Sequence, residues 1–301
     1  MKFSILTATF NRSNYLEKLY ESIVNNISDK YEIEWLIMDD GSTDDTELVC
    51  SKFSDTNGLK VRYYKQSNQG KMQAINSLEK YVTGEIWIEC DSDDCLVNNS
   101  LEYIYIKSKI LLQNENLYAL IFLKKEDNTI SGNRFIEENK DTTMFDLYFK
   151  QDIKGEKIIA FNSKIRKKFV YIVEKEEKFC TEARLYYKMD ESYKVRCYNK
   201  CIIEGVYHGD GYTKNIDKVF KNNPMGFYEY FKEILGRDMR GVTIQKRLYA
   251  IKHYILFSVI TKHKFNTKYI RNNFNKMIYF FIYIPGKIKS KIWINKHENK
   301  R

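Results

Sequence analysis

Residues 86–96 read IWIECDSDDCL. A β-prone apolar run, Ile86-Trp87-Ile88, stops, and Asp91, Asp93 and Asp94 follow within four residues. Like charges this close repel, and each costs free energy if buried without a partner. A chain that needed only a turn could use Asn, Gly or Ser. The stretch therefore predicts a strand whose end carries acid meant to meet a positive charge.

Outward from here the chain alternates. Lys2–Ala8 is a short apolar run suited to a buried strand, and Leu16–Asn26 puts Leu16, Leu19, Tyr20, Ile23 and Val24 on one helical face. Ser13 or Asn14 is the expected cap of that helix. Glu34–Met38, Lys60–Tyr64 and Glu85–Cys90 read as further strands, with Thr43–Phe53 and Gly70–Tyr81 as helices between them. Strands alternating with helices argue for an α/β fold with a mostly parallel central sheet flanked by helices. In such sheets ligands bind beyond the carboxyl ends of the strands. After the four strands come, in turn, Thr7, Thr9, Asn11 and Arg12; then Asp39, Asp40 and Gly41; then Asn68, Gly70 and Lys71; then Asp91, Ser92, Asp93 and Asp94. All four polar sets fall on one edge. A glycine and a lysine opening a helix favour an anion, and clustered aspartates favour a hard divalent cation. An anion site beside a cation site predicts a metal–diphosphate ligand.

The segments TATFNR (7–12), MDDGSTDDT (38–46), NQGKMQAIN (68–76) and ECDSDDCL (89–96), in that order, resemble glycosyltransferase family 2. These are inverting enzymes of the Rossmann-like GT-A fold, and the resemblance is to members that build bacterial capsular and exopolysaccharides. Ala8 stands where proline is common in the family. The resemblance implies that Thr7, Thr9, Asn11 and Arg12 line the base and ribose pocket. Asp40, with Asp39, would accept from the base imide of a UDP-sugar. Asn68, Gly70 and Lys71 would lie near the base or phosphates, Asp91 near the ribose, and Ser92 and Asp94 in the donor loop. Asp93 would bind Mn²⁺ or Mg²⁺ across the diphosphate.

Inverting transfer also needs a carboxylate to take the proton of the attacking hydroxyl. Residues 177–189, EKFCTEARLYYKM, resemble the family's T-E-D form with Ala183 in place of the second acid, so Glu182 is the expected base and Glu176 and Glu177 are in reserve. Lys154–Phe161 reads as a strand leading into a helix, and Lys200–Val206 as another strand. His208, in the loop after it, is a second candidate metal ligand.

The charge is unevenly spread. The chain of 301 residues carries a net +10; residues 237–301 hold 16 Lys/Arg against 2 Asp/Glu, leaving 34 against 38 in residues 1–236. Two domains are therefore expected: a GT-A domain over 1–236, with a nucleotide half (1–100) and an acceptor half (101–236), and a basic, aromatic, helical extension over 237–301. Gln245–Ile260 reads as an amphipathic helix there, and Met277–Ile284 is an apolar run too short to span a bilayer. Such an end suits an anionic membrane surface, contacted through 240–301. An acidic body without a nucleic-acid motif argues against nucleic acid. Six scattered cysteines without zinc spacing read as reduced thiols. The N-terminal apolar run is too short for a signal peptide.

The expectation is thus a glycosyltransferase moving a sugar from a UDP-sugar to a saccharide acceptor, lipid-linked, at the cytoplasmic face of the membrane. The alternatives are a non-catalytic subunit that keeps the fold, or an adaptor acting through its basic tail.

Overall fold

The structure, a computed structural model, describes residues 1–205, 215–263 and 266–298. The chain divides into two compact units: Met1–Tyr171 with Leu185–His208, and Ile172–Arg184 with Gly209–Arg301.

The first unit runs β1 (Lys2–Thr9), α1 (Ser13–Val24), β2 (Glu32–Asp39), α2 (Thr46–Cys50), β3 (Leu59–Lys65), α3 (Lys71–Leu78), β4 (Ile86–Glu89) and β5 (Asp94–Leu96). It continues α4 (Ser100–Gln113), β6 (Leu117–Glu126), β7 (Thr129–Ile130), β8 (Asp141–Thr142), β9 (Lys157–Asn162), α5 (Ser163–Arg166) and, after α6 (Glu182–Met189) has crossed from the second unit, β10 (Lys194–Gly205). The sheet order is β3-β2-β1-β4-β9-β6-β10-β5. The first four strands are parallel. Their apolar runs are buried nearly throughout in β1 and β2, as strands covered on both faces require.

Beyond β4 the sheet is mixed. β9 lies antiparallel to both β4 and β6, β10 is parallel to β6, and β5 is antiparallel to β10. Because β9 runs backwards, its N-terminal end emerges on the edge where β1, β4 and β6 have their carboxyl ends. Strand order also reverses around β1, with β2 on one side and β4 on the other. That is the switch point where α/β sheets open a crevice for ligands.

Two local expectations differ from the structure. The helix read over 43–53 is only α2, because Asp44 accepts from the backbone and hydroxyl of Thr46 and holds residues 43–45 in a turn. Ser13 is not a cap: its amide donates to Asp44 Oδ2 at 3.1 Å, tying the start of α1 to the loop after β2.

The second unit contains α7 (Ile216–Asn222), α8 (Pro224–Leu235), α9 (Ile244–Ile260) and α10 (Asn273–Glu298). Glu177 closes the start of α8, accepting from the amides of Met225 (2.6 Å) and Gly226 (2.8 Å). Aromatic packing joins α8 to the helices that follow it: Phe227 and Phe231 of α8 stack on Phe257 of α9 with centroids 5.3 and 5.9 Å apart.

Candidate active site

The expected residues of the first unit gather along one sheet edge, and a hydrogen-bonded rim joins the loops there. Asp39 accepts from the Ser42 amide (2.7 Å) and the Tyr63 hydroxyl (2.6 Å). Asp40 accepts from the Gln66 side chain (2.8 Å) and the amides of Gln69 (2.9 Å) and Gly70 (2.7 Å). Its own amide donates to the Thr9 carbonyl. Asn11, at φ +53°, accepts from the Thr43 amide, and its own amide donates to Ser42 Oγ. Asp40 thus acts as a clasp between the β2 and β3 loops, with one lone pair of Oδ2 still available. Gly41 is required in that clasp: its φ is +86°, and a Cβ there would meet the Asn68 amide at 3.0 Å.

Two features of the edge suit an anion. Gly70, at φ +94°, leads into α3, and Lys71 opens that helix. The Thr9 hydroxyl is buried without a hydrogen-bond partner, a cost that a ligand oxygen would relieve. Thr7 is instead satisfied from within, accepting from the Trp35 indole N–H at 3.0 Å.

The acidic side is assembled from three segments. Oxygens of Asp91, Asp94 and Glu156 lie within 4.8 Å of one another. Two lysines neutralise them. Lys71 Nζ is 2.7 Å from Asp91, and Lys124 Nζ is 2.9 Å from Asp94 and 3.0 Å from Glu156. Burial raises the Asp91 carboxyl, but Lys71 outweighs it, and the group is held below the usual range. Burial dominates at Asp94 and, with Asp91 and Glu156 nearby, pushes its carboxyl up to about 7 against the pull of Lys124. Ser92 is buried between them. Asp93 is not in the trio; it faces Arg12, 3.7 Å away. The trio is an all-oxygen set with three acids against two ammonium groups, which suits Mg²⁺ or Mn²⁺.

Glu156 and Lys124 were not anticipated. Lys124 follows the apolar run Leu117–Leu123 and stands beside Lys125 and Glu126, so in the sequence it looks like an ordinary polar strand end. Glu156 precedes a strand rather than following one, and reaches the edge only because β9 is antiparallel. Gly205 was missed as well. A Cβ there would lie 2.2 Å from Asp94 Oδ1 and 3.2 Å from Lys124 Cε. Gly205→Ala is therefore expected to displace the carboxylate and to weaken Mn²⁺ affinity about 10- to 100-fold, as loss of a supporting contact does; calorimetry with a parallel melting curve reads it.

Glu182 opens α6 and belongs, by its contacts, to the second unit. Glu177 is spent on α8, as described. His208 lies outside the described residues.

Residues 4–108 match the family model described as Glycosyl transferase family 2. An uncharacterized glycosyltransferase of Mycoplasma genitalium is 36% identical over 125 residues, 40% of this chain and 41% of that protein. The poly(ribitol-phosphate) beta-N-acetylglucosaminyltransferase TarS of Staphylococcus aureus is 31% identical over 102 residues, 34% of this chain and 18% of TarS. The matches thus span less than half of either relative. The crystal structure of S. aureus TarS 1–349 in complex with UDP-GlcNAc superposes with a TM-score of 0.58 at 19% identity, covering 96% of this chain and 79% of that one. Residues 4–108 accordingly form a glycosyltransferase family 2 segment, and the α/β unit that contains them has the GT-A fold.

Proposed function

We propose that the chain is an inverting glycosyltransferase that moves a hexose or N-acetylhexosamine from a UDP-sugar to a hydroxyl of a lipid-linked saccharide in surface polysaccharide assembly. The observation that carries this reading is the convergence, at the β1/β4 switch point, of the acidic trio with Lys71 and the unpartnered Thr9 hydroxyl. The name of TarS makes N-acetylglucosamine the first sugar to screen.

In this reading the Asp39–Asp40 rim seats the uracil, with the remaining lone pair of Asp40 accepting its imide N–H. Thr9 donates to the nucleotide, and Lys71 at the start of α3 draws the diphosphate. A Mn²⁺ or Mg²⁺ ion held by Asp91, Asp94 and Glu156 would supply Lewis-acid stabilisation of the departing UDP. Asp93 and Arg12 form the lip of the donor loop. Glu182 takes the proton of the acceptor hydroxyl, so that one displacement at the anomeric carbon inverts it.

The test is calorimetric titration of UDP with and without Mn²⁺, on wild type and Asp94→Asn. Mn²⁺ should strengthen UDP binding at least about tenfold, and Asp94→Asn should remove that gain. No heat at millimolar UDP with Mn²⁺ present would refute the donor assignment.

A further inference from the structure

The outward face of α10 is apolar, the reverse of what water favours. Met277, Phe280, Phe281, Ile284, Ile288 and Ile292 are all exposed, Phe281 to 76% and Phe280 to 71%. At about 100° per residue these six fall within an arc of about 120°, a stripe about 22 Å long. The opposite face is the packed one. Asn275, Tyr279 and Ser290 are buried there, and Gly286 brings the helix backbone against Ile255 of α9, where a Cβ would be only 3.2 Å from its Cδ1. The helix therefore rests on α9 by one side and shows a continuous hydrophobic stripe on the other. Solvent alone does not sustain a stripe of that size.

Charge says what covers it. Lys276 and Lys287 border the stripe on one side and Lys289 and Lys296 on the other, Lys291 lies within its arc near the C-terminal end, and Glu298 is the one acid of the helix. Two copies pressed stripe to stripe would bring ten lysines together, which disfavours self-association. An anionic bilayer surface matches both features: the stripe sinks into the headgroup–acyl boundary, and the lysines reach back to phosphates. No helix among the described residues is long and apolar enough to cross a membrane, so the contact is one of lying in the plane.

We propose that α10 is an interfacial anchor that binds anionic lipid through the Met277–Ile292 stripe and its flanking lysines. Within the broader basic region expected to meet the membrane, α10 carries the continuous apolar stripe. Ala250, Ile251, Tyr254, Ile255 and Phe257 of α9 are buried, so that helix is the platform and α10 the surface. The inference does not depend on the donor assignment.

The test uses the full chain and vesicles of phosphatidylcholine, with and without about a third phosphatidylglycerol. Cosedimentation should be at least about tenfold stronger with the anionic vesicles and should weaken with salt. The double substitution Phe280→Ser/Phe281→Ser should lower it at least about tenfold with circular dichroism unchanged. The triple substitution Lys287→Gln/Lys289→Gln/Lys291→Gln should remove the anionic preference. Absence of vesicle binding by a chain that still binds UDP overturns the proposal. So does a dimer, abolished by Phe280→Ser/Phe281→Ser, in a chain that ignores vesicles, since the stripe would then belong to a second copy. Vesicle binding without UDP binding would sink the transferase reading and leave this one standing.

Discussion

Glu182→Gln should lower kcat by about 10²- to 10⁴-fold, the usual worth of a general base, while UDP affinity measured by calorimetry stays within about twofold. The argument is chemical. A sugar hydroxyl is a poor nucleophile at neutral pH, and a single displacement gives it no covalent intermediate to share the work. A carboxylate must accept its proton as the bond forms. Glutamine keeps the size and loses the basicity, so ground-state binding is spared and the loss appears in kcat. A decrease of less than tenfold would move the base elsewhere. Glu176 is then the next residue to replace. Glu177 is a poor alternative, because its two oxygens already hold the amides of Met225 and Gly226; its substitution should damage folding of α8 before it reports on catalysis.

Lys124→Met is expected to destabilise the ion-free protein by about 3–5 kcal/mol, the cost of leaving buried acid without its counter-charge. Lys124 is the one cation bonded to both Asp94 and Glu156 among the ion pairs of the described residues, and its side chain is only 8% exposed. The loss should depend on pH in a definite direction. The Asp94 carboxyl already sits near 7 rather than 3.8, through burial, even with Lys124 pulling it down. Without the lysine it rises further. The native state then binds more protons than the unfolded chain above pH 3.8, so stability is greatest at low pH and falls as pH rises. Urea unfolding in chelator should show a larger deficit at pH 8 than at pH 5.5. Added Mn²⁺ should return more stability to Lys124→Met than it gives wild type, because a bound cation replaces the missing one. Equal gains would mean that the trio does not hold the ion.

The alternating half of the fold, and which polar residues share the edge of its candidate site, could mostly be read from residues 1–96. In a parallel sheet every strand ends on the same edge, so Thr9, Asp40, Lys71 and Asp91 were recognisable by position alone. That rule breaks at β9. An antiparallel strand delivers its first residue to the edge, and nothing in KGEKIIAF announces the direction of the strand, so Glu156 stayed hidden. Sequence proximity does not tell the aspartates apart. Asp93 is the middle acid of its stretch, but the turn closed by the Asp94 amide on the Asp91 carbonyl sends its neighbours into the trio and turns it toward Arg12. In the tail, the periodicity of Gln245–Ile260 identified α9 correctly. Periodicity cannot say which side of a helix finds a partner, and α10 hides its small and polar side and shows its apolar one.

The acidic trio joins chain positions 91, 94 and 156, across a β9 strand that must insert between β4 and β6. Such long-range pairings form late, because loop closure costs entropy before contacts repay it. The segment 4–108 carries the family's sequence signature but holds neither Glu156 nor Lys124. A nascent chain that has emerged only that far owns the rim and the Lys71–Asp91 pair, but its Asp94 lacks the lysine that faces it in the folded protein. Mn²⁺-assisted nucleotide affinity should therefore arise as one of the last events of folding, after β9 has docked. It would serve as a reporter of maturation, silent in intermediates whose first four strands are already native.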